Sequence, residues 1–148
     1  MRHTLIWVYV HVVFSTKNRR SWMVKDIQQR LWAYMGGIGR KNGVHALSVG
    51  GMADHVHLLL AMPSLVSIGD AVREIKAGSS KWFHERHRRL FSWQEGFGAF
   101  SVSASNVPDV IRYIENQEEH HRKIGFQDEL RALLRKHEIE WDEKYVWD

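Results

Sequence analysis

The sequence predicts an α+β fold of the ferredoxin-like kind, in which a split β-α-β-β-α-β order of elements forms one antiparallel sheet. Three observations support this prediction. Four short stretches have the period or the length of strands, and they lie at residues 5–15, 44–52, 54–60 and 97–103. Two stretches between them, at 24–38 and 67–82, repeat apolar residues at helical spacing. Further helical spacing after the last strand predicts an added C-terminal helix and a helical tail.

The length and composition of the chain limit how many domains it can form. Its 148 residues, 44% of them hydrophobic, suit one domain with a proper core. We therefore expect a single domain over residues 1–148, with a core over 1–123 that includes a helix at 106–123, and a tail at 124–148. Cysteine is absent, which excludes disulfides and thiolate metal sites. No apolar stretch approaches the length of a membrane span, so we expect no membrane partner.

The charge of the chain is mildly positive. There are 21 Lys and Arg residues against 17 Asp and Glu residues, which gives a net charge of +4. Basic residues gather at 17–20, at 40–41 and along 76–89. The segment 84–89 holds three arginines and two histidines before Trp93, a composition that suits nucleic acid. A solvated helix end would explain this segment equally well.

The first strand is predicted over residues 5–15. The residues of one of its faces are Trp7, Tyr9, His11 and Val13. This face is unusually aromatic and polar for a face exposed to solvent. The loop after it, at 16–20, is either a solvated turn or a phosphate contact at a strand end. A helix follows over 24–38, and the second strand, at 44–52, joins the third by a short hairpin.

The third strand carries the sequence His55-Val56-His57. Residues two apart on a strand share a face, so both imidazoles project from one side while Val56, Leu58 and Leu60 point into a core. A rigid strand of this kind can hold two imidazoles for one metal ion. On this tripeptide alone, two hydrogen-bonded structural histidines are the more frequent arrangement, and both interpretations are open at this point.

The second helix is predicted to begin near Ser67, because Ser67 and Asp70 have the spacing of a capping box. The residues that its spacing turns inward are Ile68, Val72, Ile75, Ser79 and Trp82. The fourth strand, at 97–103, then completes the ferredoxin-like order.

A third helix is predicted over residues 106–123, with Asn106 as its cap and Pro108 in its first turn. Tyr113 and Gln117 are four residues apart and lie together on one flank of its apolar stripe. For an arbitrary helix, the ordinary interpretation is a tyrosine at the edge of the core and an exposed glutamine. The alternative is a phenol and an amide presented in parallel at a functional site.

Four segments of the sequence occur in a distinctive order. They are Val13-Phe14-Ser15-Thr16-Lys17-Asn18-Arg19, Asp54-His55-Val56-His57-Leu58-Leu59, Gly98-Ala99-Phe100-Ser101-Val102-Ser103 and Tyr113-Ile114-Glu115-Asn116-Gln117-Glu118-Glu119-His120-His121. With these segments the chain resembles the single-tyrosine HUH transposases of the smallest insertion sequences. The resemblance runs from the first strand through the third helix, and each segment falls on the element that its own pattern predicts. It favours the functional interpretation of both the histidine pair and the third helix.

The resemblance implies a metal-dependent transposase that cuts and rejoins single-stranded DNA without ATP. In that family two histidines and a helix glutamine hold a divalent ion, and they correspond here to His55, His57 and Gln117. The ion would be Mg²⁺ or Mn²⁺, an assignment taken from the family because the ligand types alone suit Zn²⁺ better. The nucleophile corresponds to Tyr113, which would form a 5′-phosphotyrosine intermediate with the DNA.

The resemblance also implies partners and a location. The expected substrate is single-stranded DNA with hairpin ends, and the expected assembly is a homodimer whose active sites are completed between subunits. The expected location is the cytoplasm of a bacterium or archaeon, at the nucleoid. From position in the sequence, we predict phosphate contacts by six basic residues: Lys17, Arg19, Arg20, Arg73, Lys76 and Lys81.

Two features receive no chemical role from the sequence. His120 lies near the flank that carries Tyr113, and we expect a structural or solvated role for it. The tail has Leu130, Leu133 and Leu134 at helical spacing, and we expect it to fold back on the body or on a partner subunit.

Three other functions fit parts of the sequence. A single-strand-binding module of the same shape would stack bases on strand aromatics, but binding alone needs neither Tyr113 nor the two histidines. A nucleotide hydrolase of the histidine-triad kind would need a third histidine where Leu59 stands. A domesticated relative that acts at dispersed palindromes would carry the same residues as a mobile-element enzyme.

Overall fold

A computed structural model of the chain describes residues 3–86 and 90–148. Of the basic segment predicted at 84–89, residues 87–89 lie outside this described part. Among the residues that are described, no helix combines the length and the apolar composition that a membrane span requires.

Four antiparallel strands form one sheet in the order β2-β3-β1-β4. The strands are β1 (Val8–Ser15), β2 (His45–Gly51), β3 (His55–Met62) and β4 (Gly98–Val102). Two long helices connect them, α1 (Lys25–Lys41) between the first two strands and α2 (Ile68–Arg86) between the last two. This order and pairing confirm the predicted ferredoxin-like fold.

Helices α1 and α2 cover one face of the sheet and enclose the main core. From β3 this core contains Val56, Leu58 and Leu60, as the alternation of the strand predicts. Most of the predicted inward residues of α2 are buried, but Ile68, at its first position, is 36% exposed. The prediction was wrong for Ile68 because a first-turn residue lies at the edge of the sheet layer, where the core ends.

The opposite face of the sheet is covered by the C-terminal part of the chain. Three helices lie there: α3 (Val107–Glu115), α4 (Gln117–His120) and α5 (Phe126–Lys136). A second apolar cluster joins the tail to the sheet, and its buried members are Val13, Phe100, Phe126, Leu130 and Leu134. Of the aromatic and polar face predicted for the first strand, His11 and Val13 are therefore interior, whereas Trp7 lies before β1 and is 67% exposed. The tail folds back on the body.

Two of the differences from the predicted boundaries have a clear physical cause. The first strand begins at Val8, where it pairs with Met62, and not at Leu5. Its partner strand ends there because Pro63 has no N–H with which to continue the ladder. The single helix predicted over 106–123 is interrupted at Asn116, whose backbone has φ −103° and ψ 26°. This interruption separates α3 from α4 and turns the following residues towards the sheet.

Candidate active site

The two histidines of β3 lie side by side on the sheet face that the tail covers. His55 is 1% exposed and His57 is fully buried, and their ring centroids are 5.2 Å apart. They share this face because they are two residues apart on an extended strand. The strand holds them rigidly, because β1 pairs with one of its edges and β2 with the other.

Helix α3 approaches the sheet closely at Gly50. A Cβ atom at this position would lie 2.5 Å from the carbonyl oxygen of Ile114. Gly50 also pairs directly with His57 across the sheet. The missing side chain therefore lets the helix that carries Tyr113 lie against the histidines.

The interruption after α3 directs Gln117 inward. Its side chain is almost completely buried, and its Oε1 atom lies 3.1 Å from Nε2 of His55 and 3.0 Å from Nε2 of His121. The structure therefore brings together His55, His57 and Gln117, the three residues for which metal binding is predicted from the resemblance.

Two residues that received no role in the sequence analysis, Glu129 and His121, complete the group. Glu129, from helix α5, is 2% exposed, and its Oε1 atom lies 2.9 Å from Nε2 of His57. The same oxygen lies 3.2 Å from Nε2 of His121 and 3.3 Å from Nε2 of His55. A signal for Glu129 exists in the sequence, since an acidic residue stands within the apolar stripe of Phe126 and Leu130.

The outward nitrogen of each imidazole has its own partner. Nδ1 of His55 lies 2.8 Å from the carboxylate of Asp54, and Nδ1 of His121 lies 2.8 Å from the carbonyl oxygen of Ile124. Both partners accept hydrogen bonds, so these Nδ1 atoms carry protons. Such partners fix the orientation of an imidazole and leave its Nε2 atom to face the centre of the group.

His57 is oriented in a comparable way by a histidine of β1. Its Nδ1 atom lies 2.8 Å from Nε2 of His11, which is itself buried. Burial and the neighbouring His57 lower the pKa of His11 to about 3. Burial also lowers the pKa of His57. Because Nε2 of the neutral His57 donates to Glu129, its Nδ1 atom accepts the N–H of a neutral His11, so the two rings support each other in the uncharged form.

The remaining charges are strongly coupled. Burial alone would lower the pKa of His55, but hydrogen bonds to Asp54 and Glu129 outweigh it and raise the pKa to about 9. Burial would raise the pKa of Glu129, but hydrogen bonds from three imidazoles hold it well below the ordinary value. A cationic His55 and an anionic Glu129 therefore face each other within the group.

This group has the donor chemistry of a divalent metal site. One ligand atom from each of His55, His57, His121 and Glu129 can be chosen so that all lie within 4.8 Å of one another. The oxygen of Gln117 adds a fifth donor beside two of them. The raised pKa of His55 favours a proton that balances the Glu129 charge, and a bound cation would take over this role.

Tyr113 contacts the group through its hydroxyl. The hydroxyl donates a hydrogen bond to Oε2 of Glu129, the carboxylate oxygen that does not face the three imidazoles. Nε2 of His120 lies 3.0 Å from the same oxygen and 3.5 Å from the Tyr113 hydroxyl. Burial and the charge of Glu129 raise the pKa of Tyr113 above its ordinary value. The tyrosine is therefore held as a phenol, against a carboxylate that belongs to the candidate metal-binding group.

Three of the six predicted DNA-contact residues lie beside this group. Lys17, Arg19 and Arg20 are exposed and follow the end of β1. The preceding residue, Thr16, donates its backbone N–H to the carbonyl of Asp54 at 2.8 Å, which holds the loop next to the histidine pair. Their role in binding phosphate stays a prediction.

The other three predicted DNA-contact residues lie on helix α2, across the sheet from Tyr113. Arg73 pairs with Asp70 at 3.0 Å, and Lys81 is exposed. The ammonium group of Lys76 donates to the backbone carbonyls of residues 94, 95 and 96 at 2.8, 3.2 and 2.7 Å. Lys76 therefore holds the loop before β4 in place. Phosphate contacts by these three residues stay predictions, and the structure does not bring them to the histidine group.

Comparisons with known proteins identify a family and relatives with similar sequences. The sequence profile of a family described as "Transposase IS200 like" matches residues 5–117. The ISDra2 transposase TnpA of Deinococcus radiodurans is 25% identical over 114 residues, which cover 72% of this chain and 81% of that protein. The transposase for insertion sequence element IS200 of Salmonella typhimurium is 25% identical over 134 residues, which cover 86% of this chain and 87% of that protein.

Two solved structures have a similar fold. A transposase of Deinococcus radiodurans matches with a TM-score of 0.64 and 25% identity, over 79% of this chain and 95% of that chain. A REP-associated tyrosine transposase bound to a REP hairpin matches with a TM-score of 0.61 and 18% identity, over 82% of this chain and 72% of that chain.

Proposed function

The chain belongs to the IS200-like transposase family, and we propose that it cleaves and rejoins single-stranded DNA with Tyr113 as its nucleophile. One observation carries this proposal. The hydroxyl of Tyr113 and the imidazoles of the histidine pair contact opposite oxygens of a single buried carboxylate, Glu129. A binding module that performs no chemistry has no need of such a group.

The proposed cleavage exchanges one phosphodiester bond for another. The Tyr113 oxygen forms a bond to the scissile phosphorus while the bond between phosphorus and the 3′ oxygen breaks. The phenol loses its proton and the 3′ oxygen gains one, so the products are a 3′-hydroxyl and a 5′-phosphotyrosine. A 3′-hydroxyl can later attack this adduct and rejoin the strands, so the reaction needs no ATP.

The residues that would hold a divalent ion are His55, His57 and Gln117, together with His121 and Glu129. A bound ion would neutralise charge on the scissile phosphate and help to orient it for in-line attack. We propose Mg²⁺ or Mn²⁺. The family resemblance suggests these ions, and the Glu129 carboxylate adds a hard oxygen ligand that suits them.

The protein groups around Tyr113 would keep the nucleophile oriented before DNA arrives. Glu129 accepts the hydrogen bond of the phenol and fixes the direction of its oxygen. His120, whose side chain is 30% exposed, lies against the same carboxylate oxygen. It connects the buried pair with solvent and offers a route by which the phenolic proton can leave.

We propose single-stranded DNA with hairpin ends as the substrate. A structural relative is bound to a DNA hairpin, and the exposed Lys17, Arg19 and Arg20 offer cations beside the site. DNA of this kind would be met in the cytoplasm, at the nucleoid. We also propose that residues 1–148 act as one domain, because the tail supplies a residue of the site.

We further propose a homodimer with active sites completed between subunits, as the resemblance implies. In the structure, Tyr113 already lies against the histidines of its own chain, and it is hydrogen-bonded to Glu129. An exchange between subunits would therefore move α3, α4 and α5 together. The segment between β4 and α3 would be its hinge.

The function can be tested by trapping the covalent adduct. The purified protein is incubated with Mg²⁺ and a single-stranded oligonucleotide from the DNA that flanks its gene, including the hairpin, labelled at the 3′ end. A 5′-phosphotyrosine leaves this label on the protein in a denaturing gel. Tyr113→Phe should abolish the labelled band, whereas Tyr145→Phe, at a tail position that is 60% exposed, should keep it. An adduct of undiminished yield in Tyr113→Phe would exclude this nucleophile.

A further inference from the structure

A cavity of about 580 Å³ lies beside Tyr113, between β4 and helices α3 and α5. We call it the β4 cavity. Its apolar lining comes from Val102, Val110, Ala132 and Leu133. Its polar lining includes the hydroxyls of Ser101 and Ser103 and the amide of Asn106. A largely apolar space with a few polar groups is typical of a site for a small organic group.

The β4 cavity ends at the reacting groups of the proposed function. Tyr113, His120 and Glu129 all belong to its lining. A second cavity of about 560 Å³ meets it there, and the two share Asp109, Tyr113, His120 and Ile124. A DNA strand attacked by Tyr113 must pass this point, so the nucleotides on the two sides of the cut would lie in or next to the two cavities.

The charges distinguish the two cavities. The carboxylates of Asp109 and Glu129 line the β4 cavity and disfavour a phosphate inside it. The lysine that lines the β4 cavity, Lys136, is exposed to solvent. The second cavity is lined by Asp109 and Glu119 but also by Arg112 and Lys123, so its carboxylates are balanced by cations and it repels a phosphate less than the β4 cavity does.

The β4 cavity also offers a flat aromatic surface. The ring of His137, which lines it, stacks on Phe100 with centroids 4.7 Å apart and an interplanar angle of 29°. His11 also lines the cavity, and its ring centroid lies 6.1 Å from that of Phe100 at an interplanar angle of 60°. Flat rings of this kind stack on the faces of unpaired bases.

We propose that the β4 cavity binds the nucleobase of a nucleotide that adjoins the scissile phosphate. The apolar walls and His137 hold the face of the base, and Ser101, Ser103 and Asn106 supply hydrogen-bonding groups for its edge. The sugar and phosphate stay outside, away from the two carboxylates. This inference rests on the proposed function and adds a specificity site to it.

The test fills the cavity and removes the base separately. Ala132 is exposed at the surface end of the lining, so Ala132→Trp can fill the cavity without replacing a core residue. Gln29→Trp is the matched control, since it adds the same side chain at an exposed position of helix α1, outside the cavity. Adduct formation is measured for each variant on the intact oligonucleotide and on oligonucleotides with one abasic position on either side of the mapped cut.

In wild type and Gln29→Trp, one of the two abasic substitutions should slow adduct formation by about tenfold, the scale of one lost stacking contact. In Ala132→Trp, intact and abasic substrates should react at the same, reduced rate. Equal sensitivity to the abasic position in Ala132→Trp and wild type overturns the inference. So does an Ala132→Trp variant that is folded by circular dichroism and reacts as fast as wild type.

A binding measurement separates this inference from the proposed chemistry. Tyr113→Phe is titrated into oligonucleotides that carry 2-aminopurine at one position each, and the fluorescence of the base is followed. One position should be quenched by stacking, and adding Ala132→Trp to the variant should remove this quenching but not the binding. Oligonucleotides that bind without quenching at any position overturn the inference. A missing adduct in wild type, together with position-specific quenching, overturns only the proposed chemistry.

Discussion

The hydroxyl of Tyr113 donates a hydrogen bond to the carboxylate of Glu129, which lies sixteen residues further along the chain. The other oxygen of this carboxylate contacts Nε2 of His57 at 2.9 Å. A single side chain of the tail therefore connects the tyrosine with the histidine pair. The tail helix α5 is part of the candidate active site and not an appendage to it.

Removing the charge of Glu129 should weaken metal binding. Glu129→Gln keeps the shape of the side chain but replaces an anionic ligand with a neutral one, so we expect the Kd for Mn²⁺ to rise by at least about tenfold. Electron paramagnetic resonance of free Mn²⁺ in DNA-free protein measures this change. Asp128→Asn, at the exposed neighbouring position on the same helix, is the control and should bind Mn²⁺ as wild type does. Equal Kd values for Glu129→Gln and wild type would exclude Glu129 as a ligand.

The stability of the metal-free protein should be greatest near pH 6.5. The pKa of His55 is raised from 6.5 to about 9, so its contribution is complete below pH 6.5 and is lost as the pH rises towards 9. The pKa of His11 is lowered to about 3, so the unfolded chain binds more protons below pH 6.5 and stability falls there. The lowered pKa of His57 acts in the same direction as that of His11.

Urea unfolding in EDTA, at intervals between pH 5 and pH 9.5, measures this profile. His11→Phe removes the titrating group of β1 and should flatten the acid side only. An acid side that keeps its full slope in this variant contradicts the assignment to His11.

A side chain at residue 50 should displace helix α3. The Cβ of Gly50→Ala would lie 2.5 Å from the carbonyl oxygen of Ile114, so the helix must move. We expect the free energy of unfolding to fall by about 1–3 kcal/mol and adduct formation to fall as well. Gly37→Ala, inside helix α1, is the control, because a Cβ atom there would lie within 4 Å of no other atom. This substitution should stabilise the protein by about 0.5–1 kcal/mol. Wild-type stability and activity in Gly50→Ala would show that the contact does not position the helix.

Exchange between subunits can be tested by mixing two inactive variants. Tyr113→Phe keeps the histidines and His57→Ala keeps the tyrosine, so a dimer with exchanged helices contains one complete site. We expect adduct to reappear in the mixture, on the His57→Ala chain. An affinity tag on this chain changes its size and so identifies it in the gel. A mixture without adduct, alongside active wild type, would assign each site to a single chain.

Much of the fold could be predicted because its signals are local. The alternation in β3 fixed which residues face the core and placed His55 and His57 on one face, and the structure confirms both points. The orientation of these side chains depends only on the geometry of one strand. Tyr113 and Gln117 also both reach the site, but the continuous helix that predicted their common flank is interrupted between them at Asn116.

The missing part of the site depends on contacts between distant segments. Glu129 lies 72 residues after His57, and no periodicity relates the two. Its position within the apolar stripe of α5 indicates that Glu129 is buried, but it does not indicate which residues Glu129 contacts. The interruption at Asn116 was missed for a similar reason, since the helical pattern continues through it while the buried contacts of Gln117 favour the break.

The location of Glu129 late in the chain has a consequence during protein synthesis. The ribosome makes the histidine strand first, then the tyrosine helix, and only afterwards the helix that orients the tyrosine. Domains generally fold as units, so the site is complete only after helix α5 has been made. If the proposed function is correct, a chain still on the ribosome has no complete site for cutting DNA.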